Sequence, residues 1–269
     1  MKLCSHHISC LQSFPRLLKV FLFFLAIIIL LSTTVSGQNN FNPGEELEYV
    51  VHFGPINAGV AKINLNRAVH NNEQVFHSKL TARSIGLPDK IYKVKDIYES
   101  YFDSITLLPE MAIRDISEGK YKKKNIDTYN HKENSILSVR KGEIKAPAGI
   151  RDVISTFYFL RNYDFKSLTK GDIITIGLFF NDDFITFRLH YMGKERIDTK
   201  IGTVNCIKLV PEMVETEKNV NNENISPTPK DEMIIWLSDD ANQVPIRVKF
   251  DLFIGSIKAD LIEYINLKY

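Results

Sequence analysis

The sequence predicts an all-β, mainly antiparallel fold: a sandwich, half-barrel or barrel of about 11–13 strands with one main amphipathic helix. Three observations carry this. Apolar and polar residues alternate with period two in segment after segment. Turn signatures such as Gly54-Pro55, Asn71-Asn72, Lys170-Gly171-Asp172 and Ser238-Asp239-Asp240 separate those segments at short, even spacing. One stretch, Ile150–Asn162, shows helical spacing instead.

Residues 1–37 of the 269 read as an export signal. Lys2, Arg16 and Lys19 precede an unbroken apolar run, Val20–Leu31, and Ser32–Gly37 supplies small residues before a cut ahead of Gln38. The apolar run is shorter than the roughly 20 residues of a spanning helix, so no stable membrane span is expected after removal. The alternative is an uncleaved N-terminal anchor. In both cases the remainder lies outside the cytosol. Cys4 and Cys10 fall in the signal, which leaves Cys206 and no internal disulfide. The formal charge of +2 includes the three basic residues of the signal and no acid, so the rest carries −1. That balance leaves no footprint for nucleic acid. With 44% apolar and 25% charged residues, the composition is that of a globular chain and excludes a disordered one.

The strands follow in order. Leu47, Tyr49, Val51 and Phe53 share one face of Glu46–Phe53, and Glu46, Glu48 and His52 the other. Ala61, Ile63 and Leu65 alternate with Lys62 and Asn64. Ile185, Phe187, Leu189 and Tyr191 oppose Thr186, Arg188 and His190. Trp236 and Ile234 alternate with Ile235 and Leu237, a run apolar on both faces, and Val248, Phe250 and Leu252 alternate with Lys249 and Asp251. Such segments are half-buried antiparallel strands. Ile150, Val153, Ile154, Phe157 and Leu160 mark the main helix, and a shorter helical turn is expected at Leu87–Tyr92. Residues 215–231, ETEKNVNNENISPTPKD, have almost nothing to bury and predict a flexible polar loop within a single domain, residues 38–269.

Several stretches in this order carry a resemblance. They are Asn42-Pro43-Gly44-Glu45-Glu46-Leu47-Glu48-Tyr49, Asn57-Ala58-Gly59-Val60-Ala61, Tyr92–Asp103, Asp152–Arg161, Ile234–Asp240, Val244-Pro245-Ile246-Arg247 and Ile254–Leu261. Together they resemble the exported bacterial proteins grouped as domain of unknown function 3108. The resemblance implies a bacterial periplasm and an antiparallel β domain, and it brings no activity and no catalytic residues. At the level of fold alone, an exported all-β chain with a helix against its sheet is also similar to the half-barrel lipoprotein carriers of the cell envelope, which shelter acyl chains on a concave apolar face.

The apolar strand faces are rich in aromatics, among them Phe76, Tyr98, Phe102, Phe180, Phe184 and Phe253. They either fill a closed core or line a groove for an acyl chain. The candidate ligand face is Tyr49, Val51, Phe53, Phe187, Tyr191, Trp236 and Phe250. His52, His77 and His190 lie in strand patterns without H-x-H or HExxH spacing, although His52 and His190 would meet across a sheet if their strands were neighbours. Asp96, Glu99 and Asp103 cluster in one segment, but carboxylates four residues apart on a strand stand about 13 Å apart, too far for paired acid–base work. Ser100 and Ser155 lack a nucleophile elbow, and the S-x-x-K pairs Ser117/Lys120, Ser138/Lys141 and Ser167/Lys170 sit in polar text. Cys206 reads as a small buried residue. Lys120-Tyr121-Lys122-Lys123-Lys124, the densest basic run, suits anionic lipid headgroups or peptidoglycan carboxylates, or else a solvated, lysine-guarded hairpin edge. The expected protein is therefore not an enzyme and needs no cofactor or metal. It is a module binding a lipid or other amphipathic envelope molecule, with a packed structural or interaction protein and an envelope glycan or ester hydrolase as alternatives.

Overall fold

The period-two pattern folds as strands of one long meander. The computed structural model describes residues 39–215, 233–252 and 255–269. The expected signal, residues 1–37, and all but the first residue of the polar stretch 215–231 lie outside the described residues, as does Phe253. The strands are β1 (Glu46–Phe53), β2 (Ile56–His70), β3 (Glu73–Ser84), β4 (Lys95–Asp103), β5 (Pro109–Glu118), β6 (Tyr121–Asn130), β7 (Ser135–Ser138), β8 (Gly142–Lys145), β9 (Ile173–Phe180), β10 (Asp183–Thr199), β11 (Gly202–Glu215), β12 (Met233–Ser238), β13 (Pro245–Asp251) and β14 (Ser256–Ile265). Helix α1 (Gly86–Ile91) joins β3 to β4, and α2 (Val153–Arg161) follows β8. The 14 strands, counted among the described residues, exceed the expected range because β7 and β8, four residues each, are too short to alternate visibly.

Among the described residues every strand pairs antiparallel, and all pairs but one join chain neighbours. The sheet runs from β8 back to β1, and β1 then pairs with β14, which leads down to β9. Tight turns set the register. Asn71 and Asn72, with φ of 48° and 64°, connect β2 to β3, and Asn181 and Asp182, at 56° and 72°, connect β9 to β10. Asparagine and aspartate tolerate this left-handed region, which two-residue hairpins require.

No backbone ladder joins β8 to β9 among the described residues. Side chains bridge the gap instead. Phe179 and Phe184 pack with Tyr129 and Ile136. Lys123 Nζ donates to Asn181 Oδ1 and Asp182 Oδ2, both at 2.8 Å, and Arg140 Nε donates to Asp182 at 3.2 Å. Part of the outer edge of β9 is covered by Arg151, whose N–H donates to Gly177 O and whose carbonyl accepts from Phe179 N–H. Covering an edge in this way removes a template for unwanted strand pairing.

Helix α2 lies on the inner face. Its N-cap is Asp152, whose Oδ1 accepts from the N–H groups of Ile154 (2.6 Å) and Ser155 (3.0 Å), while Ser155 Oγ accepts from Asp152 N–H. This reciprocal pair is a capping box. Ile154 and Tyr158 pack with Phe41, Leu47, Ile63, Phe76 and Phe102, and Leu160 packs with Ile174, Leu189, Tyr191 and Leu209. Tyr158 stacks on Phe102 at 5.2 Å and meets Phe41 edge-on at 4.6 Å.

Arg161, in the last turn of α2, is fully buried, as is Glu45 just before β1. The guanidinium grips both Glu45 oxygens, with Nη2 at 2.9 Å from Oε2, and Nε donates to Asn242 O at 3.1 Å. Gln243 Nε2 donates back to Arg161 O at 2.7 Å. This cluster ties α2 to the entry of β1 and to the β12–β13 loop. Removing one partner strands a buried charge, which costs about 3–5 kcal/mol, whereas an apolar pair of similar volume is often tolerated. Glu45→Ala and Arg161→Met should each lower stability by that amount in urea titrations, and Glu45→Leu/Arg161→Met should recover much of the loss.

Candidate ligand-binding face

Cross-strand partners share a face, so the ladders decide which predicted site residues meet. Tyr191 pairs with Leu209, Leu209 with Ile235, Ile235 with Val248, Val248 with Ala259 and Ala259 with Val51. Tyr49, Val51, Phe53, Phe187, Tyr191 and Phe250 therefore lie on the inner face. Trp236 does not. It pairs with Lys208 and Arg247, on the opposite face. Its indole N–H donates to Glu195 Oε1, Lys208 lies 5.7 Å from its ring centroid, and Ile197, Ile201 and Val204 of the β10–β11 hairpin pack against its cluster. The candidate face thus loses Trp236. The physical reason is that β12 is buried on both sides, so its hydrophobic run carries no information about facing.

The remaining six residues differ in exposure. Tyr49 and Tyr191 are buried, and Tyr49 donates its hydroxyl to Pro245 O at 3.0 Å. Burial pushes the Tyr49 hydroxyl above the usual tyrosine range, with Arg161 opposing and Glu45 adding to the rise. Phe187 and Val51 are half-buried. Phe53 and Phe250 are 43% and 42% exposed, and Ile257, which pairs with both, is 36% exposed. Three rungs of one ladder, Phe53–Ile257–Phe250, Val51–Ala259–Val248 and Tyr49–Leu261, run from an open apolar lip to a dry floor.

A separate cleft opens over β4–β6, between the start of α2 and the β9–β10 turn. Tyr98, Arg114, Asn125, Asp127, Asp152 and Asp182 line it. Its cavity of about 30 Å³ is on the order of two water-sized probes, small for an acyl chain. Arg114 rests on the Phe180 ring, 4.8 Å from its centroid, and Nη2 donates to Asn181 Oδ1 at 3.1 Å. Arg114 Nε makes no hydrogen bond among the described residues. Burial raises the Asp127 carboxyl, opposed by hydrogen bonds from Ser138 and Asn125. Asp152 is likewise raised by burial, although Ser100 Oγ donates to it at 2.6 Å. Its Oδ1 is committed to the helix cap and its Oδ2 to Ser100. For Asp182, burial acts upward, but the hydrogen bonds from Lys123 and Arg140 outweigh it and hold the carboxyl below the usual range.

The other sequence-level candidates are separated. Four strands stand between those of His52 and His190 in the sheet order, and the two do not meet. His52 lies 3.6 Å from Asp260, His77 2.8 Å from Glu99 and His190 3.0 Å from Glu212. Among the described residues no group of three His, Cys, Asp or Glu side chains is placed to hold a metal ion. Glu99 also pairs with Lys79, Asp96 accepts from Ser117 N–H, and Asp103 closes the turn at Ile105 and Thr106. Cys206 is buried, and desolvation pushes its thiol up to about 12, which keeps it protonated. The Glu45–Arg161 pair and the Asp182 contacts had no local sequence signal, since Glu45 and Arg161 lie 116 residues apart and Asp182 lies 59 from Lys123 and 42 from Arg140.

Two expectations follow. Asp152→Ala should cost about 1–2 kcal/mol in chemical denaturation, while Asp152→Asn, which keeps the accepting oxygen, should lose far less. Asp182 has a depressed folded pKa, so its contribution is complete above about 3.9 and is lost as pH falls through the folded value. The stability difference between the native chain and Asp182→Asn should therefore shrink below that pH, as read from melting curves across an acid series.

No helix among the described residues is long and apolar enough to cross a membrane. Among curated proteins, none matches the chain. Among solved structures, the β-barrel-like protein of domain of unknown function 1849 from Brucella abortus is similar, at a TM-score of 0.55 and 8% identity over 84% of this chain and 98% of that one. That likeness concerns the fold. A candidate lipoprotein from Parabacteroides distasonis matches at a TM-score of 0.36 and 11% identity, over 85% of this chain and 100% of that one. A candidate exported protein from Bacteroides fragilis matches at 0.33 and 8%, with the same coverages. The family profile described as protein of unknown function DUF3108 matches residues 48–262, and the chain, with its helix-filled antiparallel meander, belongs to that family.

Proposed function

We propose that this chain is an exported, non-catalytic β domain of the bacterial envelope, periplasmic after loss of residues 1–37, that holds the acyl part of an amphipathic lipid against its apolar lip. The observation carrying this reading is the exposed row Phe53, Ile257 and Phe250, continuous with the dry floor at Tyr49 and Leu261. The small volume of the cleft over β4–β6 supports the lip rather than that cleft as the ligand's place. Each methylene removed from water contributes about 0.8 kcal/mol, so about ten of them reach the roughly 8 kcal/mol of micromolar binding before ordering costs. The non-catalytic reading is supported by how the polar groups are spent. Asp152 and Ser155 cap α2, and Cys206 stays a thiol.

A second reading, a packed interaction protein of the envelope, is favoured by the filling of the inner face with Phe41, Phe102 and Tyr158. Organic extraction of the protein purified from its native envelope, followed by mass spectrometry, separates the two. The lipid-binding reading expects a co-extracting lipid, reduced at least about tenfold in Phe53→Ser/Phe250→Ser with Tm unchanged. Extraction that yields no lipid overturns it and leaves the packed protein.

A further inference from the structure

A second surface lies at the same end of the strands as the lip but on other elements. Helix α1 exposes Leu87 (72%) and Ile91 (87%), and Tyr92 follows it, also exposed. The connection is anchored from below. Ser84 Oγ donates to Asp89 Oδ1 at 2.6 Å and accepts from Val94 N–H at 2.8 Å, so the one acid of α1 is spent internally. Its start is held by Ile85 N–H on Ala58 O at 2.9 Å. The tip of the β5–β6 hairpin docks against this knuckle. Gly119 N–H donates to Lys93 O at 2.8 Å, Val94 bridges to Glu118, and the Tyr92 ring covers Gly119 so closely that a Cβ there would sit 2.9 Å from it. Gly119 has φ of +57°, so glycine is needed for the turn and for the contact.

The docking joins two features that are distant in sequence. Around the apolar knuckle stand Lys90, Lys93, Lys95, Lys120 and Lys122, all exposed and none in an ion pair among the described residues. Tyr121 is exposed between two of them. Unpaired lysines ringing a protruding apolar tip with tyrosines at its border complement an anionic lipid surface: the tip enters the acyl boundary while the ammonium groups meet phosphate. The β6 segment that carries Lys122 is also locally an edge, because β7 reaches no farther than the Asp127–Ser138 pair.

We infer that the shoulder formed by α1 and the β5–β6 turn docks this domain on an anionic bilayer surface. This goes beyond the lip and does not depend on it, since no shoulder residue belongs to the Phe53–Ile257–Phe250 row. The chain enters the fold at the opposite end, where Asn39 Nδ2 donates to Ser104 O in the β4–β5 turn. Ile105, exposed in that turn, is a natural control.

The test uses the full chain with Cys4→Ser and Cys10→Ser, so that the buried Cys206 is the one remaining thiol. An environment-sensitive fluorophore is placed at Ile91→Cys or, separately, at Ile105→Cys. Each labelled chain is mixed with vesicles of phosphatidylethanolamine and phosphatidylglycerol, or of phosphatidylcholine alone. The Ile91 label should shift to the blue on anionic vesicles only, and the Ile105 label should not move. A lysine near an anionic surface strengthens partitioning by roughly fivefold, so Lys90→Gln/Lys93→Gln/Lys120→Gln/Lys122→Gln should weaken it by several hundredfold. Added salt should weaken the native chain in the same direction. Equal binding to both vesicles overturns the inference. So does a shift confined to the Ile105 label, which marks insertion through the β4–β5 turn. Binding to soluble polyglutamate as tight as to vesicles, with the Ile91 label unmoved, assigns the lysines to an acidic polymer and overturns it as well. Phe53→Ser/Phe250→Ser should leave vesicle binding intact, which separates failure of the lip from failure of the shoulder.

Discussion

The buried grip of Arg161 on Glu45 is the constraint on which the arrangement depends. An ionised pair with no access to water is tolerable only when nearly every donor and acceptor is matched, and here Asn242 O accepts from the guanidinium Nε–H while Gln243 and Asn40 donate to the Arg161 main-chain carbonyl. The requirement fixes three things at once: the depth of α2 on the sheet, the path of residues 39–45 into β1, and the position of the β12–β13 loop. Because β1 is also the strand that pairs with β14, the same cluster holds the junction between the two halves of the meander.

With α2 fixed there, the inner face divides itself. Tyr158, Phe41 and Phe102 occupy the middle, and the aromatic side chains that might have lined a hollow instead pack on one another. What stays open is peripheral. The helix spans nine residues, about 13 Å, while β10 runs for 17 residues and β2 for 15. A cover so much shorter than the sheet leaves strand ends bare, and the exposed ends of β1, β13 and β14 form the lip.

Closure of the sheet follows a different logic. Its outermost strands do not pair, so the gap is spanned by side chains from β5, β6 and the β7–β8 turn on Asn181 and Asp182 and by the Arg151 backbone on β9. The side-chain contacts are ionic at Asp182 and neutral at the Asn181 acceptor, those of Arg151 are main-chain hydrogen bonds, and the former border the small cleft around Arg114. That cleft sets Arg114 and several carboxylates among apolar side chains such as Ile154, Phe179 and Phe180, whereas the row Phe53, Ile257 and Phe250 is apolar throughout, so the two openings in the inner face differ in charge as well as in position.

Much of this was written locally. Alternation placed Tyr49, Val51, Phe53, Phe187, Tyr191 and Phe250 on inward faces, helical spacing found α2 to within three residues at its start, and the text of Lys120–Lys124 announced a basic hairpin. These are properties of a residue and its near neighbours, so a linear reading reaches them. Trp236 escaped it because a strand buried on both sides has no polar face to mark direction. The partners of Arg161 escaped because nothing within a turn of it hints at a carboxylate 116 residues earlier. The tertiary structure alone decided how open the inner face is, and that Tyr92 covers Gly119 and so gathers two separate lysine groups on one shoulder. Packing density and long-range electrostatics are sums over neighbours in space, and the order of residues along a chain does not list those neighbours.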